Sequence, residues 1–311
     1  MLPLKLIPDD THIHFIARRW LGFAISLLMI VLTIGTVATR GLNLGIDFSG
    51  GILLEVRVEE SVDLADMRQL FSDTSRWGEV SLQDIGDNGD VMIRVQTAED
   101  EEQSERVAAI KQVLNEAYPD ISYRKIDYVG PTVGRELVES GIMALVIAMG
   151  AMMLYIWFRF EWQFGLGGII ALIHDAIVML GFYALTGFDF GLTSIAAILT
   201  VIGYSINDSV VIYDRIRENM RRYKKKPVIE LLDISINQTL SRTIVTAFTT
   251  VLAALALAIF GGEVLRGFSY ALVVGVIVGT YSSIFISAPI LMYFGLRSDS
   301  FAVEEQDAAT A

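Results

Sequence analysis

The chain has 311 residues, 53% of them hydrophobic, and a mean hydropathy of +0.51, more apolar than a soluble domain of this size tolerates. The formal net charge of −12 does not describe an acidic soluble protein, because the charges are segregated along the chain. There is no cysteine, which excludes disulfides, thiol catalysis and cysteine-ligated clusters, and three histidines (His12, His14, His174) are too few for a histidine-rich metal site.

A bilayer core needs roughly 20 apolar residues per helix. The tail 1–19 carries Lys5, Arg18 and Arg19, and 20–39 is an uncharged apolar run that predicts the first span. That run is too long for a signal-peptide core, and no small-residue cleavage site follows it. The segment 40–137 is predicted to be a small folded domain; from Arg40 to Arg135 it holds 19 acidic against 10 basic residues. Alternation predicts strands at 51–58, 80–85, 91–96 and 121–128, and helical spacing predicts helices at 64–75 and 102–117. Asp87-Asn88-Gly89-Asp90 signals a hairpin between the second and third strands. The order βαββαβ is the ferredoxin-like arrangement, which hosts many functions and specifies none. The domain opens on Gly45-Ile46-Asp47-Phe48-Ser49-Gly50-Gly51, which lacks both the Lys-Ser/Thr of a P-loop and the glycine spacing of a dinucleotide site. It reads as a tight turn from helix to strand, with Asp47, Gly50 and Gly51 as a candidate docking turn.

Five further spans are predicted at 138–158, 164–187, 191–213, 242–262 and 267–295, with a basic loop at 214–241 and a tail from 296. Two of them contain acids, Asp175 and Asp208, each with apolar residues on both sides. Pro289 lies near the end of the last, where a missing backbone bond is best tolerated. Lys5, Arg18, Arg19, Arg159, Arg297 and the eight basic residues of Asp214 to Arg242 fall on one side, whereas the short loops around Asp189 and Glu263 offer only Arg266. The excess of positive charge makes both termini cytoplasmic and puts the domain on the far side.

Within the spans, His174-Asp175 has no further His or Cys nearby to complete a metal site. A hydrolase would need Ser205 as nucleophile, but Gly203-Tyr204-Ser205-Ile206-Asn207 lacks the second glycine of a nucleophile elbow. The pair reads as a polar contact to a neighbouring helix, and no enzyme activity is expected. Asp208 is the most informative residue: it lies six residues from Asp214, about 9 Å inside the span. A charged Asp at a helix centre costs roughly 2.5–3.5 kcal/mol on insertion scales. Thr193, Thr200, Tyr204, Asn207 and Asp208 share one stripe, and Gln238, Thr239, Arg242, Thr246 and Thr249 share another on the next span. Spacing therefore permits an Asp208–Arg242 pair, either a static buried ion pair or a carboxyl whose protonation follows conformation. The basic stretch 215–226 is accounted for by the orientation rule without a nucleic-acid or lipid partner. Gly275 and Gly279, continued by Ser282 and Ser283, form a small-residue face for helix packing, within the chain or between chains.

Seven strings carry a resemblance across 44–283: LGIDFSGG (44–51), VGPTVGREL (129–137), FRFEW (158–162), ALIHD (171–175), IGYSINDSVVIYDRIREN (202–219), NQTLSRT (237–243) and GTYSS (279–283). In them the chain closely resembles the SecF group of the SecD/SecF protein-export family, part of the resistance–nodulation–division (RND) superfamily. The resemblance implies an RND-like half-transporter of six helices with one periplasmic ferredoxin-like domain, in the bacterial cytoplasmic (inner) membrane. It implies a SecD partner, action beside the SecYEG channel with YajC as an associate, and preproteins as substrate. It further implies use of the proton-motive force late in export, with Asp208 and Arg242 as the proton-coupling residues. Asn207, Asp175, His174, Asp214 and Thr246 are expected as supporting polar residues, and no cofactor, metal or nucleic acid is expected. The competing reading is an RND-type efflux transporter of small molecules or lipids, acting as a homodimer because the chain has half the spans of a complete exporter.

Overall fold

The computed structural model describes residues 11–58, 64–73, 77–78, 80–84, 90–96 and 103–296; residues 1–10, 85–89 and those beyond 296 are among those outside the described residues, and with them most of the expected hairpin signal, Lys5 and Arg297. The elements in chain order are α1 (Arg19–Arg40), α2 (Ile46–Ser49), β1 (Gly51–Arg57), α3 (Leu64–Leu70), β2 (Val80–Asp84), β3 (Asp90–Val95), α4 (Gln103–Ala117), β4 (Ser122–Val129), α5 (Pro131–Arg159), α6 (Trp162–Thr186), α7 (Leu192–Arg222), α8 (Val228–Phe260) and α9 (Gly262–Ser282), which continues through a π-helical turn to Phe294. Among the described residues six helices are long and apolar enough to cross a membrane. The chain divides into two compact units, one of residues 44–144 with 189–192, the other holding most of the long helices.

In the smaller unit the four strands form an antiparallel sheet in the order β2-β3-β1-β4, the ferredoxin-like arrangement. The pairing Ile52↔Val95, Leu54↔Ile93 and Val56↔Val91 places alternate apolar residues of the two central strands on one face. Met67, Phe71, Ile110 and Leu114 cover that face with Trp77, whose ring meets Phe71 edge-on at 5.5 Å. Fully burying such side chains is worth about 1.5–3 kcal/mol each, which is what holds a domain of this size together. The helix expected at 64–75 stops at Leu70. Ser72 and Asp73 follow it, and such side chains compete for backbone hydrogen bonds and favour helix ends. Gly51 begins β1 at φ 117°, and a Cβ there would lie 2.6 Å from the Val95 carbonyl oxygen, so strand pairing itself demands glycine.

In the larger unit, α6 packs against α1 and α9, and α8 against α9. The start of the chain is stapled to α8: the Ile16 N–H donates to Asp233 (2.9 Å), and Asn237 both accepts from and donates to the Ile13 backbone (2.9 and 2.8 Å). The acid thereby sits at the beginning of the first helix, where orphan N–H groups attract negative charge. Small residues set the spacing elsewhere. A Cβ on Gly181 would sit 2.1 Å from Thr33 Oγ1 of α1.

Two boundaries differ from expectation. The stretch 214–241 is not a loop: α7 runs to Arg222 and α8 starts at Val228, so only 223–227 break the helices. Apolar Ile216, Met220, Leu231, Leu232 and Ile236 are buried together there, and that face keeps the chain helical beyond the bilayer although the exposed face is basic. Helix α5 begins seven residues before the expected 138 because Pro131 serves as its first residue, where a missing N–H costs nothing. Near Pro289 the last helix widens into the π-helical turn Ser283–Ser287, since proline withholds one backbone donor and its ring crowds the preceding turn.

Arg57 donates two hydrogen bonds to Asp90, at 2.7 and 2.5 Å, and this holds the Asp90 carboxyl below its ordinary value. A carboxyl lowered in the folded state stabilises above its unfolded value, near 3.9, and the contribution fades as pH falls through the folded value. Asp90→Asn is therefore expected to be modestly destabilising at pH 7, with the difference from wild type shrinking as the pH falls below about 3.9, as read from chemical denaturation of the purified chain across that range. Gly51→Ala is expected to cost about 2 kcal/mol or more, seen as early proteolysis within the domain.

Candidate functional site

One set of buried residues falls at four-residue intervals on two facing helices. Helix α7 contributes the side chains of Ser205, Ser209 and Tyr213, and the last helix contributes Ser283 and Ser287, in step with Gly279. Ser209 and Ser283 hydroxyls lie 3.1 Å apart, and Tyr213 and Ser287 oxygens 2.5 Å apart. Ser283 also donates to the Ser205 carbonyl (3.2 Å). Gly275 and Gly279 allow this approach: a Cβ on Gly275 would fall 2.1 Å from Val201, and one on Gly279 3.0 Å from Ser205. The small-residue face is thus used within the chain, which settles a choice the sequence left open. The four-residue repeat of Ser, Gly and Tyr in both helices is the signal that would have shown the seam in advance.

Asp175 joins a third helix to this seam. It is 0% exposed, and its Oδ2 accepts from Ser205 (2.6 Å) and Ser282 (2.8 Å), while Oδ1 meets Nδ1 of His174 at 3.0 Å. Ser205 therefore bonds to the carboxylate and not to the imidazole, so the three groups do not form a nucleophile–base pair.

Asp208 stands one turn further along α7 and is 2% exposed, yet its Oδ2 has no hydrogen-bond partner among the described residues. Thr280 of α9 faces it. Arg242 lies within electrostatic reach on α8, but no ion pair within 4 Å joins the two among the described residues. Arg242 is exposed, and it borders an open cavity of about 340 Å³ with Tyr155, Arg159, Asp214, Arg215 and Gln238. Asp214 accepts from Arg159 at 3.3 Å at the mouth of that cavity. Thr246 donates to the Arg242 carbonyl (2.9 Å), which folds its hydroxyl back onto the helix. The expected polar stripes divide accordingly: Asp208 turns inward, whereas Thr193, Thr200, Asn207, Gln238, Arg242 and Thr249 lie on the outer surface. Lipid does not tolerate such a surface well, because the exposed polar side chains of Thr193, Thr200, Asn207 and Thr249 have no water to bond there.

The turn at the start of the domain is built against residues 189–192. Asp47 Oδ2 accepts the Leu192 N–H (3.0 Å), the Gly45 N–H donates to the Phe190 carbonyl (3.0 Å), and the rings of Phe48 and Phe190 lie 5.9 Å apart. Gly191 is required here, since a Cβ would fall 2.6 Å from Asp47 Oδ2. Arg94 of β3 pairs with Asp189. Gly50 and Gly51 both have positive φ, 69° and 117°, and turn the chain into β1. The Arg94–Asp189 pair could not be read from sequence, for nothing local links two residues 95 positions apart.

Six apolar helices, a buried carboxyl near an arginine and a ferredoxin-like extramembrane domain define a polytopic membrane protein built around intramembrane charge. The model for "Protein export membrane protein SecD/SecF, C-terminal" matches residues 109–297, and that for the "SecD/SecF GG Motif" matches 36–62. The chain belongs to the SecD/SecF family. It is 49% identical over 293 residues to the protein translocase subunit SecF of Rickettsia bellii (94% of this chain, 96% of the relative), and 48% identical over 305 residues to that of Rickettsia felis (98% and 99%). Among solved structures it is similar to SecDF, a translocon-associated membrane protein from Thermus thermophilus, with 35% identity and a TM-score of 0.84 over 93% of this chain. A super-membrane-facing form of SecDF matches with a TM-score of 0.68 at 35% identity over 99% of this chain. The chain spans about 40% of the length of those SecDF chains.

The helix seam has a direct test. Gly275→Ala is expected to cost about 1–3 kcal/mol by overpacking, lowering the thermal midpoint of the detergent-purified chain, and Val201→Ala added to it should recover most of the loss.

Proposed function

We propose that this chain is an accessory subunit of the Sec preprotein translocase that, with SecD, couples proton entry to late steps of export across the bacterial cytoplasmic membrane. Family membership supports the translocase assignment and the SecD partner. The coupling reading is carried by one observation: Asp208 is buried at span depth with one carboxylate oxygen that has no hydrogen-bond partner among the described residues, and Arg242 of the neighbouring helix lies within electrostatic reach. A carboxyl in such a place is suited to gaining and losing a proton as the arginine approaches or withdraws. One charge crossing the membrane is worth about 2.3 kcal/mol per 100 mV, enough to shift a conformational equilibrium tens-fold.

The outward polar residues of α7 and α8 support a protein partner along that face, and SecD fits it by family. In this reading both termini are cytoplasmic and the ferredoxin-like domain is periplasmic, where it acts on the emerging preprotein near SecYEG and YajC. The chain is not an enzyme: no hydrolytic role is assigned to His174, Asp175 or Ser205.

Reconstitution with SecD into vesicles tests the proposal. Asp208→Asn, neutral and nearly isosteric, should assemble normally, lower proton flux at least about tenfold and remove the dependence of export on membrane potential. Unchanged flux and export with normal assembly would defeat the reading.

A further inference from the structure

The bundle holds a second buried carboxyl with an environment unlike that of Asp208. Asp175 lies in the middle of α6 with three donor-capable groups around it: Ser205 and Ser282 on Oδ2, and His174 Nδ1 on Oδ1. Among the described residues no lysine or arginine comes within 4 Å of it, and His174, at 3.0 Å, is the ionisable base that does. His174 is itself only 4% exposed, and its Nε2 has no hydrogen-bond partner among the described residues.

The groups facing the pair come from each helix packed on α6. Helix α9 presents Ser282 and Tyr281, whose ring centre lies 6.3 Å from that of His174 and whose hydroxyl donates to the Gly22 carbonyl (2.6 Å). Helix α1 presents Ser26, hydrogen-bonded to Tyr281 (2.9 Å), with its ionisable side chains Arg19 and Arg40 at its two ends. Helix α7 presents Ser205, and its ionisable Tyr204 and Asp208 stand beside it and one turn beyond. The π-helical turn offers only serines, at 283 and 287.

With Asp175 ionised, all three surrounding groups donate to it, which requires the imidazole to carry its proton on Nδ1 and leaves Nε2 as a bare acceptor. We propose that the His174–Asp175 pair is a second proton-binding site of this chain, taking up one proton at His174 Nε2. The step is an acid–base one: the Nε2 lone pair takes the proton, an N–H bond forms, no other bond breaks, and the pair's net charge goes from −1 to 0. The new N–H is a buried donor that needs an acceptor, so uptake favours rearrangement of the groups beside it, Tyr281 first, and through it α1. Ser205 ties the same carboxylate to the helix that carries Asp208. The use of this proton in transport rests on the coupling reading above, whereas its binding rests on the geometry of the pair alone.

The test uses the full chain with SecD in vesicles, histidine labelled with nitrogen-15, and His12→Gln with His14→Gln so that one imidazole of this chain reports; SecD is left unlabelled. As the pH is lowered, the His174 ring should pass from the neutral form protonated at Nδ1 to the doubly protonated form. Asp175→Asn should move that transition by about one pH unit or more, and Ser282→Ala, a milder change that keeps the chain foldable, should move it less. A ring that keeps one protonation state throughout, or a transition that neither variant moves, overturns the second site. The two readings fail separately. A silent His174 alongside Asp208-dependent proton flux removes only the second site, and a titrating His174 with flux indifferent to Asp208→Asn removes only the first.

Discussion

Low dielectric inside the bundle is the constraint on which the rest of the structure depends. A polar group there has no water to fall back on, so each must find a partner on a neighbouring helix or stay costly. Asp175 meets that demand with hydrogen bonds from three side chains. Asp208, one turn from Ser205, leaves its Oδ2 without a hydrogen-bond partner among the described residues. Two carboxyls on adjacent helices thus occupy opposite extremes, and the contrast between a satisfied hub and an unsatisfied one gives the site its chemical character.

The seam of small and hydroxylic residues follows from the same constraint. Helices in lipid gain little from hydrophobic burial against each other, so close packing and interhelical hydrogen bonds must hold them. Gly275 and Gly279 bring backbones near enough for Ser205, Ser209 and Tyr213 to reach the last helix. The π-helical turn sits on that seam, at Ser283–Ser287. A widened turn there re-aims Ser283 and Ser287 together, so the local backbone irregularity and the polar contacts are one feature.

Much of this was legible in the sequence because the relevant periods are short. Six spans stand out from apolar length, and the βαββαβ order from alternation between 51 and 129. Asp208 declared itself because an acid in an apolar run has no local excuse. What was missed depends on non-local packing. Helix on either side of 223–227 is sustained by apolar residues contributed from both helices, and the basic face obscured it. The separation of Asp208 from Arg242 depends on rotation of two helices about their axes, which a stripe drawn on each alone does not fix. The bond from Ser205 to Asp175 spans 30 residues, and that from Ser282 spans 107.

The first residue of α7 belongs to the compact unit that contains the sheet, because Leu192 gives its N–H to Asp47 while Phe190 and Asp189 are held by Gly45 and Arg94. The unit is consequently discontinuous in the chain: the turn at 45–48 has its partners at 189–192, so it cannot close until two long helices, α5 and α6, have been synthesised in between.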